Sequence, residues 1–507
     1  MLKRRDNVLI STLTAVAVGA VLLLGRQPGV AIGFPLDDAW IHMVYGRALA
    51  SGGLLAYNPG VPATGCTAPL WSLVVAAAHL VAGHLSTRAV VTIVLLCGAG
   101  LHVETVRRAA GLAARVSGDR GAGLVAGVAL ALCAPLVVGG LSGMEVALCG
   151  LLLVLAVRAL WAENWTWSGI LLALAAATRH EAAVPAMLCA LLALHGKWAR
   201  WRVLRLAVPA LLLAALIVGH DLHATGRPLP ATFYFKQDAN LAELPGRLVT
   251  AVTAMLDRVP PLWGFAGWLA LIGCFVPPVS SRRLMPLAGG LGFLLANLTV
   301  ARPVDPDAFY HLRYVLPAVP LLTVALAVGA ARLGRWPLFT LLAIAVVGAA
   351  FTFAPASRRY HNDVRNIDEV QVAMGRWLDM HLPAEAWAAA TDAGAVRYFG
   401  NRPVIDLMGL NTPEFYWDDD WAVNHPVDVL ALMPAWVQPI DAAALTPYAT
   451  MRTADYTVTS YPAMARQVIA GVPAGDEPVR VSFRGLKHFQ LHVRPWRPER
   501  ETGTVRP

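Results

Sequence analysis

Charge is scarce in this 507-residue chain. Only 14% of its residues are Asp, Glu, Lys or Arg, while 57% are hydrophobic. A soluble globular protein carries about one quarter charged residues, so that class is excluded for most of the length. Cysteine is nearly as scarce and forms no pattern. Cys97, Cys133, Cys149, Cys189 and Cys274 lie in or at the ends of apolar segments, Cys66 stands alone in a loop, and none follows Cys274. No CxxC or Cys/His spacing occurs, which excludes a disulfide framework or a structural zinc site. The cysteines read as small apolar filler. A concentrated basic patch is also missing. The formal charge is +9, but Lys and Arg punctuate apolar segments, and this excludes a nucleic-acid partner.

What the chain has instead is long apolar runs, several of about 18 residues, enough to cross a hydrocarbon core. "MLKRRDN" is followed by an apolar run from Val8 to Gly25. It is long for a signal-peptide core, no small-x-small site precedes polar sequence, and it reads as an uncleaved first span. Spans are expected near 8–25, 88–106, 121–139, 145–161, 166–179, 182–195, 206–222, 261–278, 284–301, 314–331 and 336–353. Lys3, Arg4 and Arg5 open one set of connections. It continues with Arg107, Arg108, Arg115 and Arg120, then Arg158, then Lys197, Arg200, Arg202 and Arg205, then Arg282 and Arg283, then Arg332 and Arg335. These short basic loops alternate correctly if the N-terminus is cytoplasmic. Eleven spans then put the chain from Ala356 onward outside, and 69–85 becomes a re-entrant or interfacial helix.

The acids are sorted as well. The first 355 residues hold 14 of the 32 Asp and Glu. On this topology ten of them share the outer face: Asp37, Asp38, Glu145, Glu181, Asp221, Asp238, Glu243, Asp257, Asp305 and Asp307. Ionisable groups at span ends are costly unless solvated or paired, so their convergence predicts a polar cavity. Ordinary loop polarity accounts for Asp238 or Glu243. It accounts poorly for "TRHE" (178–181), a very short link between two apolar helices.

From Ala356 the composition changes, and no later run is long and apolar enough to span. "SRRYHNDVRNIDEVQVAMGRWLDMHLP" predicts an amphipathic helix ending before Pro383. "WAAATDAGAVRYFGNRPVIDLMGL" predicts strand, turn, short helix, glycine turn and strand, hence a small α/β domain on the outer face. "WDDD" (417–420) reads as an exposed acidic turn sooner than a cation site.

In "GFPLDDAWIHMVYGRALASGG" (33–53), Asp37 and Asp38 precede a helix with Trp40, Ile41, Val44, Tyr45, Ala48 and Leu49 at helical spacing. That stripe suits the bilayer interface. The acid pair can cap this helix, act as a general base toward a hydroxyl, or hold a divalent cation. Arg179, Lys236 and Arg313 can bind a phosphate, with Tyr234, His180 and His311 as hydrogen-bonding partners. Glu145, Glu181 and Asp221 complete the expected cavity. A base plus a phosphate clamp equips a site for attack by an alcohol on a sugar whose leaving group is a phosphate. Outside the cytoplasm there is no nucleotide-sugar pool, so a lipid-phosphate sugar is the natural donor.

The run "LDDAWIHMVYGRALASGGLLAYNPG…TGCTAPLWSL" resembles the first outer loop of the GT-C superfamily of polytopic glycosyltransferases. "LSGMEVAL", "TRHEAAVP", "LPATFYFKQ", "RYVLPAVPLL" and "DAGAVRYFGNRPVIDLMGL" are similar, in order, to later segments of mycobacterial-type arabinofuranosyltransferases that use decaprenyl-phospho-arabinose. The resemblance implies a catalytic Asp37, a second acidic position at Asp38, and a basic role at Arg179 in a "TRPE"-like segment. His180 departs from that segment, where proline is usual. The tail becomes an accessory domain for the acceptor. The expected architecture is an all-α polytopic GT-C bundle of about eleven spans (1–355) with an extracytoplasmic α/β domain (356–507). Residence is in the plasma membrane. The expected function is transfer of a sugar from a polyprenyl-phosphate donor to a hydroxyl of a cell-envelope glycan, lipid or protein. A transporter or flippase of lipid-linked intermediates is the rival; it predicts inverted repeats, and the sequence contains none.

Overall fold

Helices form at the positions of all eleven expected spans, because apolar side chains in lipid leave the backbone no partner except itself. The structure, a computed structural model, describes residues 1–236, 241–258, 265–300, 311–453, 466–473, 477–484 and 489–496. Among the described residues five helices are able, by length and composition, to cross a membrane: Arg4–Leu24, Thr87–Ser117, Arg200–Thr225, Leu316–Leu333 and Arg335–His381. A sixth is gained if Arg120–Ala131 and Ala134–Gly140, bent by 66°, count as one span. Val146–Trp161, Trp165–Thr178 and His180–Leu194 are shorter. At about 1.5 Å per residue they fall below a core about 30 Å thick.

The chain divides into two units. The first comprises Met1–Pro28, Thr92–Ile217 and Lys236–Tyr360; the second comprises Gly29–Val91, Val218–Phe235 and His361–Pro507. Within the first, helices Phe265–Cys274 and Val319–Leu333 meet at small residues. A methyl group on Gly329 would collide with the Ala270 carbonyl, and one on Gly273 with the Gly329 carbonyl. Such close backbone approach is how helices pack where no hydrophobic effect separates them from lipid.

The composition change at Ala356 falls inside a helix. Arg335–Ile367 includes Pro355 and continues through a π-helical turn, Asp368–Val372, into Ala373–His381. A proline removes a backbone hydrogen bond without necessarily ending a helix.

The second unit gathers three distant stretches of sequence. Its larger sheet runs in the order Val404–Asp406, Ala388–Ala390, Val429–Leu432, Arg466–Gly471, Thr446–Arg452. The first three strands are parallel and the last two antiparallel to their neighbours. Helix Gly394–Gly400 makes the crossover between Ala388–Ala390 and Val404–Asp406, as a parallel pair requires. A second sheet orders Phe489–Val493, Val479–Arg484 and Gln438–Pro439. Ile405, Leu430, Phe415, Val481, Phe483 and Leu491 share one core. The stretch Gly29–Val91 is tied to the larger sheet through Asn58, whose amide accepts from the Val404 N–H (2.9 Å) and donates to the Val404 carbonyl (3.0 Å). Tyr57 donates its hydroxyl to the Ala393 carbonyl at 2.6 Å, and Arg397 donates to the Tyr57 carbonyl at 3.0 Å.

Candidate functional site

Asp37 lies at the head of helix Asp38–Ala50 and is 4% exposed. Its side chain does not cap that helix. It reaches across the second unit to helix Gly394–Gly400. Oδ2 accepts from the Gly394 N–H at 2.6 Å and Oδ1 from the Ala395 N–H at 2.7 Å. Glycine is needed here, since a β-carbon on Gly394 would press on the Asp37 carboxylate at 2.5 Å.

Asp37 is also hydrogen-bonded to Asp392, and two carboxyl groups can hydrogen-bond only if they hold a proton between them. Asp392 in turn accepts from Gln371 Nε2 at 2.8 Å. Gln371 sits in the π-helical turn, a backbone irregularity that re-aims side chains and recurs at functional sites. Burial pushes the carboxyl of Asp37 above its usual range, against the lowering effect of its hydrogen bonds. Burial and then the neighbouring Asp37 charge push Asp392 well above its usual range. Asp38 is less buried than Asp37.

A second network backs this one. Asp406 accepts from the Met408 N–H (2.9 Å), the Asn411 N–H (3.0 Å) and Asn411 Nδ2 (2.7 Å). Asn411 Oδ1 accepts from the Tyr45 hydroxyl at 2.9 Å. Burial pushes Asp406 up to about 6. Tyr45 and Trp40 thus turn inward, and part of the stripe expected to lie on the bilayer is core.

Arg179 belongs to the first unit. It ends helix Trp165–Thr178 in an extended conformation. Its Nη1 donates to Glu145 Oε1 at 2.7 Å, and Nη2 lies 3.5 Å from Glu181 Oε1. The guanidinium carbon sits 5.1 Å from the Tyr314 ring centre, and that of Arg313 sits 4.9 Å from the same ring. Arg313 donates to the Tyr314 hydroxyl at 2.9 Å. Two arginines and two glutamates therefore balance around one tyrosine, with Arg179, Arg313 and Glu145 buried. His180 follows in a 3₁₀ turn and is exposed. His311 lines a separate cavity of about 180 Å³ with Arg359.

Other expected members are placed elsewhere. Tyr234 is in the second unit, edge-on to Trp417 at 5.7 Å, with the Arg227 guanidinium 5.3 Å from its ring centre. Asp221, also in the second unit, is 3% exposed, and its Oδ2 has no partner among the described residues. Lys236 ends helix Ala231–Lys236, with its side chain outside the described residues. Asp238, Asp305 and Asp307, and the side chains of Asp257, Asp419 and Asp420, lie outside them too. Among the described residues no three His, Cys, Asp or Glu converge as metal donors.

Residues 362–481 match a family model described as "Domain of unknown function (DUF8728)". No curated protein matches the chain. Solved structures do. ArnT from Cupriavidus metallidurans, bound to undecaprenyl phosphate, is similar with a TM-score of 0.56 and 13% identity, over 93% of this chain and 99% of that one. The Archaeoglobus fulgidus oligosaccharyltransferase in its apo form has a TM-score of 0.52 and 11% identity, over 87% of this chain and 70% of that one. In its complex with zinc and sulfate the values are 0.54 and 10%, over 83% and 67%. At such low identity the likeness establishes the fold alone: helical, with several membrane-length apolar helices, as in these structures.

Proposed function

We propose that this protein transfers a glycosyl group from a polyprenyl-phosphate donor to an acceptor hydroxyl in the cell envelope. The observation that carries the reading is Asp37, an anchored and buried carboxylate with raised proton affinity at the first outer loop. A carboxylate has about four lone-pair sites. Two backbone amides and Asp392 take three, which leaves one for an acceptor hydroxyl. Asp37 takes the hydroxyl proton as the oxygen attacks the anomeric carbon, and the bond from that carbon to the phosphate oxygen breaks. Charge builds on the leaving phosphate, and Arg179 and Arg313, with Lys236, are the groups suited to receive it. Glu181, at 3.5 Å the weaker of the two acids on Arg179, is the one a phosphate displaces. Support comes from the fold, which is shared with a structure bound to undecaprenyl phosphate.

A calcium ion fits this acid pair poorly, because with three sites of Asp37 occupied too few protein oxygens remain for its six to eight ligands. The finer assignments rest on the sequence, the sugar on its family resemblance and the topology on its apolar runs and basic loops. They are arabinofuranose as the sugar, about eleven crossings with the short helices tilted or broken, a cytoplasmic N-terminus, and a 356–507 accessory domain outside the cytoplasm.

A second reading places the base at Asp38, the less buried of the two carboxylates. Transfer from decaprenyl-phospho-arabinose by the purified chain in nanodiscs separates them. With Asp37 as base, Asp37→Asn lowers turnover roughly 10² to 10⁴-fold, and Asp38→Asn costs less. The reverse order assigns the base to Asp38. Full turnover in both variants removes the pair from the chemistry.

A further inference from the structure

A cleft of about 440 Å³ opens in the second unit where helix Thr87–Ser117 begins. Its walls include Arg47, Ser51, His79, His84, Thr87 and Tyr398, and no Asp or Glu lines it. Arg47 is half-buried and makes no ion pair among the described residues. Its guanidinium lies 4.3 Å from the Tyr398 ring centre, and one N–H donates to Asn401 Oδ1 at 3.3 Å, a long and exposed hydrogen bond. An arginine has five N–H donors, so most of its capacity is unspent.

The aromatic support is itself held. His79 Nδ1 lies 3.0 Å from the Val75 carbonyl and must donate to it, which leaves Nε2 to accept from the Tyr398 hydroxyl at 3.2 Å. Arg47 thus rests on a ring that cannot turn away. The first turn of a 31-residue helix adds the positive end of its dipole. Arginine and helix end have the same sign.

One wall is apolar and open. Leu80 lines the cleft at 69% exposure, and Val81 (65%) and Leu85 (68%) follow it in the chain. A ligand matching both features has an anionic head and an apolar tail. We propose that this cleft binds the phosphate of an anionic lipid, with its head group on Arg47 and the start of helix Thr87–Ser117, and its chain over Leu80, Val81 and Leu85. The site lies outside the machinery assigned to glycosyl transfer and does not depend on that reading.

Native mass spectrometry of the full chain, titrated with phosphatidylglycerol, phosphatidylcholine or inorganic phosphate, tests it. The parent should retain phosphatidylglycerol in preference to phosphatidylcholine. Arg47→Gln should lower that affinity about tenfold or more, the worth of one or two charge-assisted hydrogen bonds, and Arg47→Lys should restore part of it. Leu80→Gln, at an exposed position that folding tolerates, should weaken lipid binding and leave inorganic phosphate unaffected. Asp37→Asn should bind lipid like the parent even where transfer is lost. Arg47-dependent binding of inorganic phosphate without lipid retention would overturn the lipid assignment in favour of a soluble phosphate ligand. Equal retention of the two lipids, or an unchanged affinity in Arg47→Gln, would overturn the site.

Discussion

Replacing Asp392 by Asn removes the proton that joins the two buried carboxyls and little else. The new side chain still donates to Asp37 through Nδ2 and still accepts from Gln371 through Oδ1, so shape and hydrogen bonding survive. What changes is linkage to pH. In the unfolded chain an aspartate binds a proton only below about 3.9. In the folded chain the pair keeps one proton well above that, because burial raises both groups. The folded state therefore binds more protons, and stability falls as pH rises. The slope is about 1.4 kcal/mol per pH unit for one proton. The loss starts at the unfolded-state value and ends at the raised folded-state one. In Asp392→Asn this slope disappears, while the milder slope from Asp406, pushed up to about 6, is common to both proteins and cancels. Thermal midpoints of the two proteins in the same detergent, measured from pH 5 to pH 8, should converge or cross as pH rises, with the parent losing more. Parallel curves would refute the shared proton. An infrared band of a protonated carboxyl, present in the parent at neutral pH and absent from the variant, checks the same inference without unfolding.

Arg179→Ala removes an ion-pair partner of the buried Glu145 carboxylate, and loss of one partner from a buried ion pair costs about 3–5 kcal/mol. The thermal midpoint should fall sharply, and Glu145→Gln added to the same chain should recover part of the loss; simple additivity would mean that the two do not act as a pair. In Glu181→Gln, which keeps Arg179 paired with Glu145, donor affinity should rise if a phosphate competes for that guanidinium, and unchanged affinity in a donor titration would remove Arg179 from the phosphate site. Gly394→Ala pushes a methyl into the Asp37 carboxylate and should lower both stability and turnover; a variant with parental values in both assays would show that the cap can shift at no cost. Reporter fusions after Arg120, Arg205 and Arg283 should read cytoplasmic, and fusions after Gly60, Asp307 and Pro507 extracytoplasmic; a cytoplasmic C-terminus would overturn the topology and the transfer mechanism with it.

Helix positions were legible in the sequence because apolar length is a local property, and a run of leucine and alanine has one way to satisfy its backbone in lipid. The strand–helix–strand at Ala388–Asp406 was legible for a similar reason: its turn residues sit at fixed offsets. The Asp37–Asp38 doublet and the "TRHE" link stood out as charges in places where charge is expensive, and that much needs no coordinates. Their partners did not stand out. Asp392 and Asn411 are ordinary residues in ordinary contexts, each far along the chain from the group it serves, Asp37 and Tyr45. A hydrogen bond between residues more than 300 positions apart leaves no trace in spacing or periodicity. Gly394 carried the one available hint, a glycine opening a helix just after an aspartate. Composition therefore determined a helical membrane protein with a polar tail and a costly acid pair. Only the tertiary structure decided that Asp37 caps a helix of the tail and meets Asp392 there, because the burial that sets its chemistry exists only once distant segments are packed together.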